Sequence, residues 1–236
     1  MTQLGFGSKI SIVIPALNEA GSIFQLLDNI HTLPNVEVIL VDGGSSDKTL
    51  SLAKGFDVTV ISSAKGRARQ MNVGAKAATG EILLFLHADT LLPVGFETKV
   101  RATLQPPLVG EKPVPIAGAF TLHIDAPQQR FRWIERLVAW RSQSRQMPYG
   151  DQAIFLTAAT FRDLGGFKEI PIMEDFELIR RLQGLGRIEI LDTPVVTSAR
   201  RWIDRGVLQT TLINQAIVAG YLAGVSPTTL ASWYRR

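Results

Sequence analysis

The 236-residue chain has no cysteine. Disulfides, zinc–thiolate centres and cysteine nucleophiles are therefore all excluded, and a cytoplasmic location is the expectation. A long apolar run is missing as well. The start, MTQLGFGSKISIVIPA, has no extended apolar stretch behind a basic end, so no signal peptide is read. The most apolar late stretch, Val207 to Val225, is interrupted by Gln209, Asn214 and Gln215. It falls short of the roughly 20 apolar residues that a membrane span needs. A strong charge of one sign is also lacking, because Lys plus Arg is 25 against 21 for Asp plus Glu, a net +4. That small excess favours anionic ligands or an anionic surface, and with no nucleic-acid motif in the chain no nucleic acid is expected as a partner.

What is present is core material. Hydrophobic residues make up 46% and charged residues 19%, enough to fill one large domain or two small ones. No repeat or low-complexity tract is seen. The first hundred residues alternate between short apolar runs and helical patterns. Strands are expected at Ile10–Ile14, Val36–Val41, Val58–Ile61 and Glu81–Leu86. Helices are expected at Ala20–His31, Ser46–Lys54 and Gly66–Ala78. Continuous apolar strands alternating with helices mean a parallel α/β sheet with helices on both faces, and ligands then bind beyond the carboxyl ends of the strands. Leu104–Ile116 is Pro-rich and reads as a loop. Further strands are expected at Ala117–Ile124 and Asp151–Leu156, and helices at Pro127–Gln143, Glu174–Gln183 and Ile203–Ala223.

Each early strand ends in polar or turn residues: Pro15-Ala16-Leu17-Asn18-Glu19, Asp42-Gly43-Gly44-Ser45-Ser46-Asp47 and His87-Ala88-Asp89. Three such clusters on one sheet edge form one site. The Asp42 segment lacks the G-x-G-x-x-G spacing; it reads either as a ligand loop or as a plain strand–helix turn with a capping side chain. Lys65, Arg67 and Arg69 at a helix start suit a diphosphate, or a solvated basic face. Asp89 ends the run LLFLHADT. A buried, unpaired carboxylate is costly, so something positive must meet it. A divalent cation on a diphosphate would do so; a helix cap is the plainer account. His87 lies on the same face of the strand, as a second ligand or as a scaffold residue. Glu174, Asp175 and Glu177 open a helix, where the dipole favours carboxylates, or they supply a general base.

In order, IPALNEAGSI, VDGGSSDKT, GRARQMNVGAKAATGEILLFLHADT, GGF, MEDFEL and SARRW resemble a family 2 glycosyltransferase of the GT-A fold over roughly residues 9–204. Within that family the resemblance is nearest to the bacterial arsenosugar-biosynthesis-type subgroup. It implies a mostly parallel, Rossmann-like twisted sheet with a smaller mixed acceptor-side region and a C-terminal helix. The whole would be a single domain with a nucleotide-sugar half (1–103), an acceptor half (117–202) and a helical tail (203–236). By the same resemblance Pro15, Ala16, Asn18 and Glu19 line the nucleotide pocket, with Gly44, and Asp42 holds the base. Arg67 and Asn72 cover diphosphate and ribose. His87 and Ala88 precede Asp89, the metal-binding last residue of the D-x-D motif, so a divalent cation, Mn or Mg, is the implied cofactor. His87 departs from that motif's first aspartate. Asp175 matches the catalytic base of the E-D motif, with Glu174 beside it. Arg201 and Trp202 loosely resemble Q-x-x-R-W and belong to the acceptor side or a loop.

The activity implied is inverting transfer from a nucleotide-diphosphate sugar, UDP-sugar favoured, to an acceptor hydroxyl on a lipid or small metabolite. A homodimer is allowed by this reading. A nucleotidyltransferase is the first rival, but the loop PALNEAGS lacks the Gly-rich, basic character that grips a triphosphate. A non-catalytic nucleotide-sugar-binding module is the second, and the presence of Asp89, Asp175 and the basic stretch speaks against it. The segment Gln129–Arg145 holds five arginines, two tryptophans and a phenylalanine. Either Ile134, Leu137 and Val138 pack on the sheet with the arginines in water, or the helix rests on the anionic inner face of a membrane, with Phe131, Ile134 and Val138 at helical spacing among the five arginines.

Overall fold

The structure, a computed structural model, describes residues 7–105 and 113–235; the side chains of Arg201 and Arg235 are outside the description. Apolar runs build the first half: β1 (Ile10–Ala16), α1 (Ile23–Ile30), β2 (Val36–Asp42), α2 (Thr49–Ala53), β3 (Thr59–Ser62), α3 (Arg67–Ala77) and β4 (Ile82–Phe85). A short β5 (Thr90–Leu91) and α4 (Phe96–Leu104) follow. The second half supplies β6 (Ala117–Asp125), α5 (Gln129–Arg145), a 3-10 turn at Gly150–Gln152, β7 (Phe155–Thr157), α6 (Ala158–Asp163), α7 (Glu174–Gln183) and β8 (Ile188–Ser198). The chain then runs through α8 (Arg200–Arg205), α9 (Val207–Leu222) and α10 (Pro227–Arg235).

All eight strands form one sheet in the order β3-β2-β1-β4-β7-β6-β8-β5. The first four are mutually parallel; β7 runs antiparallel to β4 and β6, and β6 and β8 are parallel. Alternate residues of the same strands feed opposite cores. Ile10, Ile12, Ile14, Leu40 and Leu84 face α1, α4 and α5, while Val13, Val41, Leu83 and Phe85 face α3, α6 and α7. Burial on both faces explains why the strands read as unbroken apolar runs.

α3 carries Arg67 into the site and seats tightly. A Cβ built on Gly74 would stand 2.9 Å from Val41 Cγ2 and would overlap Val13 Cγ1. Alanine gains about 1 kcal/mol of helix propensity over glycine, but overpacking of this kind costs about 1–3 kcal/mol. Gly74→Ala is therefore expected to lower the urea midpoint with an unchanged slope. A midpoint equal to or above wild type would mean that α3 has slack against the sheet.

Several expected elements are corrected. The Ala20–His31 helix begins only at Ile23. The expected Ser46–Lys54 helix starts at Thr49, because Asp47 Oδ1 accepts the Thr49 N–H (2.9 Å) and turns the chain first. The Asp151–Leu156 strand is a 3-10 turn and then β7, divided at Ala153, whose φ is +49°. Gly206, with φ +84°, splits the expected Ile203–Ala223 helix into α8 and α9. β8 was not expected at all: Asp192 and Pro194 interrupt its β pattern, and the pairing with β6 shifts register there. Of the expected Leu104–Ile116 loop, residues 106–112 lie outside the described residues. Among the described residues no helix is long and apolar enough to cross a membrane.

Candidate active site

The carboxyl ends of β2, β1 and β4 lie side by side, and their loops converge as the parallel order requires. The first two loops are stitched to each other. Gly43 N–H donates to Ala16 O (2.9 Å), and the buried Gln70 amide donates to Ala16 O (2.9 Å) and Val41 O (2.8 Å). Asn18, at φ +57°, accepts the Ser46 N–H at Oδ1 (2.8 Å) and donates its own N–H to Ser45 Oγ (2.9 Å). The Asp42 carboxylate, only 2% exposed, accepts from the N–H groups of Gly44 (2.9 Å) and Ser45 (3.0 Å).

Beyond these loops lies a cavity of about 530 Å³. Of the residues singled out from the sequence, Pro15, Glu19, Arg67, His87, Ala88, Asp89, Asp175 and Trp202 line it. Ala16, Asn18, Asp42 and Gly44 instead hold the loops behind it. Asn72 is set back too: its amide clasps Phe167, donating to the carbonyl (2.8 Å) and accepting the N–H (2.9 Å). Glu174 is 2% exposed and pairs with Arg67. The side chain of Arg201 is outside the description.

α7 delivers Asp175. Met173 takes φ +70° at the helix start and turns the first acidic residues toward the sheet edge. Asp175 Oδ2 accepts the Gly150 N–H (2.8 Å), and Oδ1 accepts the Phe176 N–H (2.8 Å). Burial pushes the Asp175 carboxyl up, but the Arg67 guanidinium, these two N–H groups and His87 hold it below the usual carboxylate range. A Cβ on Gly150 would stand 2.9 Å from His87 Nε2 and 3.0 Å from Asp175 Oδ2. Glycine at 150 is thus what lets these two side chains converge. An aspartate at position 87 would add a like charge beside Asp175, whereas the imidazole does not.

Arg200 is one cation beside Asp89. Its guanidinium lies 2.8 Å from Glu19 Oε2 and 4.0 Å from Asp89 Oδ2. In the sequence Arg200 stands within SARRW with nothing there to name its partner. Gly150 and Asp151 are not among the site residues expected from the sequence, where Asp151 reads as the first residue of a strand. The signal available was PYGDQ, a turn-forming Gly-Asp pair between a helix and an apolar run. Asp151 lines the cavity, and its Oδ1 is buried with no hydrogen-bond partner. Burial, with the nearby Asp175 and Asp89 carboxylates adding, pushes its carboxyl up against the pull of Arg141 and Arg67.

On the far wall, Ile172, Met173 and Phe176 pack with Ile217 and Leu230 of α9 and α10, and Tyr221 meets the Phe176 ring edge-on (5.5 Å). The cavity is therefore acidic and basic on the sheet side, whereas the helical side mixes Trp202, Ile217 and Val218 with Asp204, Arg205 and Asn214.

A divalent cation has a limited place here. Among the described residues no group of three or more His, Cys, Asp or Glu is arranged to hold a metal ion. The Asp89 side chain is 28% exposed and faces the cavity. One carboxylate plus substrate phosphate oxygens is a common donor set for magnesium. The residues thus fit an ion that arrives with a diphosphate rather than a permanently caged one.

With this geometry in place, the comparisons can be read. Residues 11–110 match the family model for glycosyl transferase family 2. That span runs from β1 past α4 and takes in the Asp42, Arg67 and Asp89 segments. A PGL/p-HBAD biosynthesis glycosyltransferase of Mycobacterium bovis (strain BCG / Pasteur 1173P2) is 42% identical over 91 residues, 35% of this chain and 36% of that protein. An uncharacterized glycosyltransferase of Haemophilus influenzae is 36% identical over 85 residues, 34% of this chain and 29% of that protein. The chain thus aligns with about a third of the length of these relatives. Among solved structures, the mannosyltransferase PcManGT from Pyrobaculum calidifontis, in complex with GDP-Man and Mn2+, superposes with a TM-score of 0.62 at 21% identity. It covers 92% of this chain and 66% of that one. Staphylococcus aureus TarS 1–349 in complex with UDP gives 0.61 at 20% identity, over 80% of this chain and 60% of that one. The fold is the α/β GT-A architecture expected from the sequence. The relatives' names support a glycosyltransferase and the matched family model supports family 2, while the arsenosugar-type subgroup rests on motif order alone.

Proposed function

We propose that the protein is an inverting glycosyltransferase that moves a sugar from a nucleotide-diphosphate donor to an acceptor hydroxyl. The observation that carries this is the placement of Asp175, fixed by Gly150 and Phe176 N–H groups beside Arg67, in the same cavity as Asp89. In this reading Asp175 takes the acceptor O–H proton as that oxygen bonds to the sugar's anomeric carbon. The bond from that carbon to the diphosphate breaks, and nucleoside diphosphate leaves with the electron pair. Arg67 keeps Asp175 ionised before the transfer. Gly150 N–H orients the carboxylate, and the loops around Asn18 and Asp42 give the donor a rigid floor. A divalent cation held by Asp89 would supply charge neutralisation for the departing diphosphate. Residues 1–103 act as the donor half and 117–202 as the acceptor half, with the C-terminal helices closing the far wall.

UDP-sugars head the list of donors to test, and GDP-sugars follow. A thermal-shift panel of nucleotide sugars with and without manganese is expected to raise the midpoint for the cognate donor, since a ligand of the native state stabilises it. Release of nucleoside diphosphate from that donor that depends on an added acceptor hydroxyl would then establish transfer. Pyrophosphate release from a nucleoside triphosphate would replace this reading with a nucleotidyltransferase, and binding without turnover would leave a nucleotide-sugar-binding module.

A further inference from the structure

α5 is apolar on two opposite sides. Phe131, Ile134 and Val138, the expected membrane-facing set, pack instead into the sheet core. Leu137 was expected to join them and does not. It lies outward with Trp133 and Trp140, and the three are 63% (Trp133), 62% (Leu137) and 58% (Trp140) exposed. Steps of four and three residues set them on one helix face. A core-facing helix needs no second apolar stripe.

Charge accompanies this stripe. The Arg136 guanidinium lies 5.0 Å from the Trp133 ring centre, and Arg145 lies 5.3 Å from that of Trp140. α5 holds five arginines and one glutamate, +4, as large as the net charge of the whole chain. Two of those arginines are turned to internal work. Arg132 donates to Ile124 O (2.6 Å), and Arg141 donates to Met147 O (3.0 Å) and Gln152 Oε1 (3.0 Å). Arg130, Arg136 and Arg145 are exposed.

We propose that this outer face of α5, Trp133, Leu137 and Trp140 with Arg130, Arg136 and Arg145 around them, docks on an anionic lipid bilayer. Indole rings combine an apolar body with a polar N–H and settle at the boundary between headgroups and acyl chains. Guanidinium groups at the same level meet lipid phosphates. A second copy of the chain fits this face poorly, because a symmetric contact would press three exposed arginines against their equivalents. Nucleic acid would satisfy the arginines and stack the indoles, but it offers Leu137 no apolar phase.

Docking also has consequences for the cavity. The C-terminal end of α5 continues into Tyr149 and Gly150, and Arg141 stacks on Tyr149 at 3.5 Å from the ring centre. An α5 held at the bilayer would anchor the loop that carries Gly150 and Asp151 near lipid. This deepens the transferase reading by setting the acceptor hydroxyl on a lipid, whereas the docking itself does not depend on that reading.

The test is co-sedimentation of the full chain with phosphatidylglycerol-containing vesicles and with pure phosphatidylcholine vesicles, at low salt and at about 0.5 M salt. Binding is expected to the anionic vesicles and to weaken with salt. Trp133→Ala/Trp140→Ala should lower the partition coefficient about tenfold or more, and Arg136→Gln/Arg145→Gln should remove most of the salt-sensitive part. Both variants should keep the wild-type melting temperature and nucleotide-sugar binding. Absent binding to anionic vesicles at low salt, or equal binding by the tryptophan variant, overturns the proposal. So does a dimer in sedimentation velocity that the tryptophan variant abolishes. Vesicle binding by a protein that transfers no sugar would uphold the docking and reject the transferase reading.

Discussion

Asp175→Asn is expected to leave nucleotide-sugar binding nearly intact and to lower turnover by about a hundredfold or more, the scale of a lost general base. The amide is almost isosteric, so the hydrogen bonds that the side-chain oxygens accept from Gly150 and Phe176 N–H can persist in part. What disappears is the negative charge that receives the proton. Arg67 would keep its pairing with the buried Glu174, so the surrounding ion pair should survive. Burial raises the Asp175 pKa and Arg67 with the N–H groups lowers it further, to a net value below the usual carboxylate range. The group is then ionised throughout the neutral region, and the wild-type rate should show no acidic limb from Asp175 between about pH 5 and 8. Isothermal titration with the donor, alongside single-turnover rates, separates binding from chemistry. A variant with near wild-type turnover removes Asp175 from the mechanism.

Asp89→Ala is expected to abolish activity, and excess chelator should do the same to the wild type. Asp89 stands at the end of an apolar strand, 28% exposed and facing the cavity. Arg200, 4.0 Å away, is held more closely by Glu19 at 2.8 Å. A divalent cation brought in by the donor diphosphate would take Asp89 as one of its oxygen ligands. Donor titrations with and without manganese should show metal-enhanced affinity in the wild type and a much smaller enhancement in the variant. Full activity in chelator would assign the charge neutralisation to Arg200 and its neighbours. His87→Ala should cost less, because imidazole is not a preferred ligand for magnesium. It should act on Asp175 instead, whose carboxyl lies close enough to His87 to feel its charge.

Much of the first hundred residues could be read from the sequence because each feature there is local. β1, β2 and β4 are short runs buried on both faces, and each ends in a polar turn. Parallel strands bring such ends to one edge, so Pro15, Glu19, His87 and Asp89 could be grouped without coordinates. The Asp42 segment resisted this approach. Residue type alone serves both readings, ligand loop or capped turn, and in the fold the carboxylate accepts the N–H groups of Gly44 and Ser45, a contact that either reading allows. β8 stayed hidden because Asp192 and Pro194 break its pattern. The strand forms anyway, since β6 pairs along most of its length. Leu137 shows a different limit. Helical periodicity sets Trp133, Leu137 and Trp140 on one face but does not say which face the sheet will cover.

The sequence by itself determined the α/β class, the edge of the sheet where chemistry would lie, and the acidic and basic residues available there. Each of these depends on residue type and on spacing within one element. Only the tertiary structure decided the partnerships: Arg67 with Glu174, Gly150 with Asp175, and Arg200 with Glu19 rather than chiefly with Asp89. A charge pairs with whichever opposite charge the folded chain brings within a few ångströms, and periodicity along one segment carries no information about that distance. The same reason explains why Asp151 surfaced only with the fold. Burial alters its acidity first, then Arg141 and Asp175, and then Arg67 and Asp89 from far along the chain, groups that meet it only when β4, α3, α5 and α7 close on one cavity.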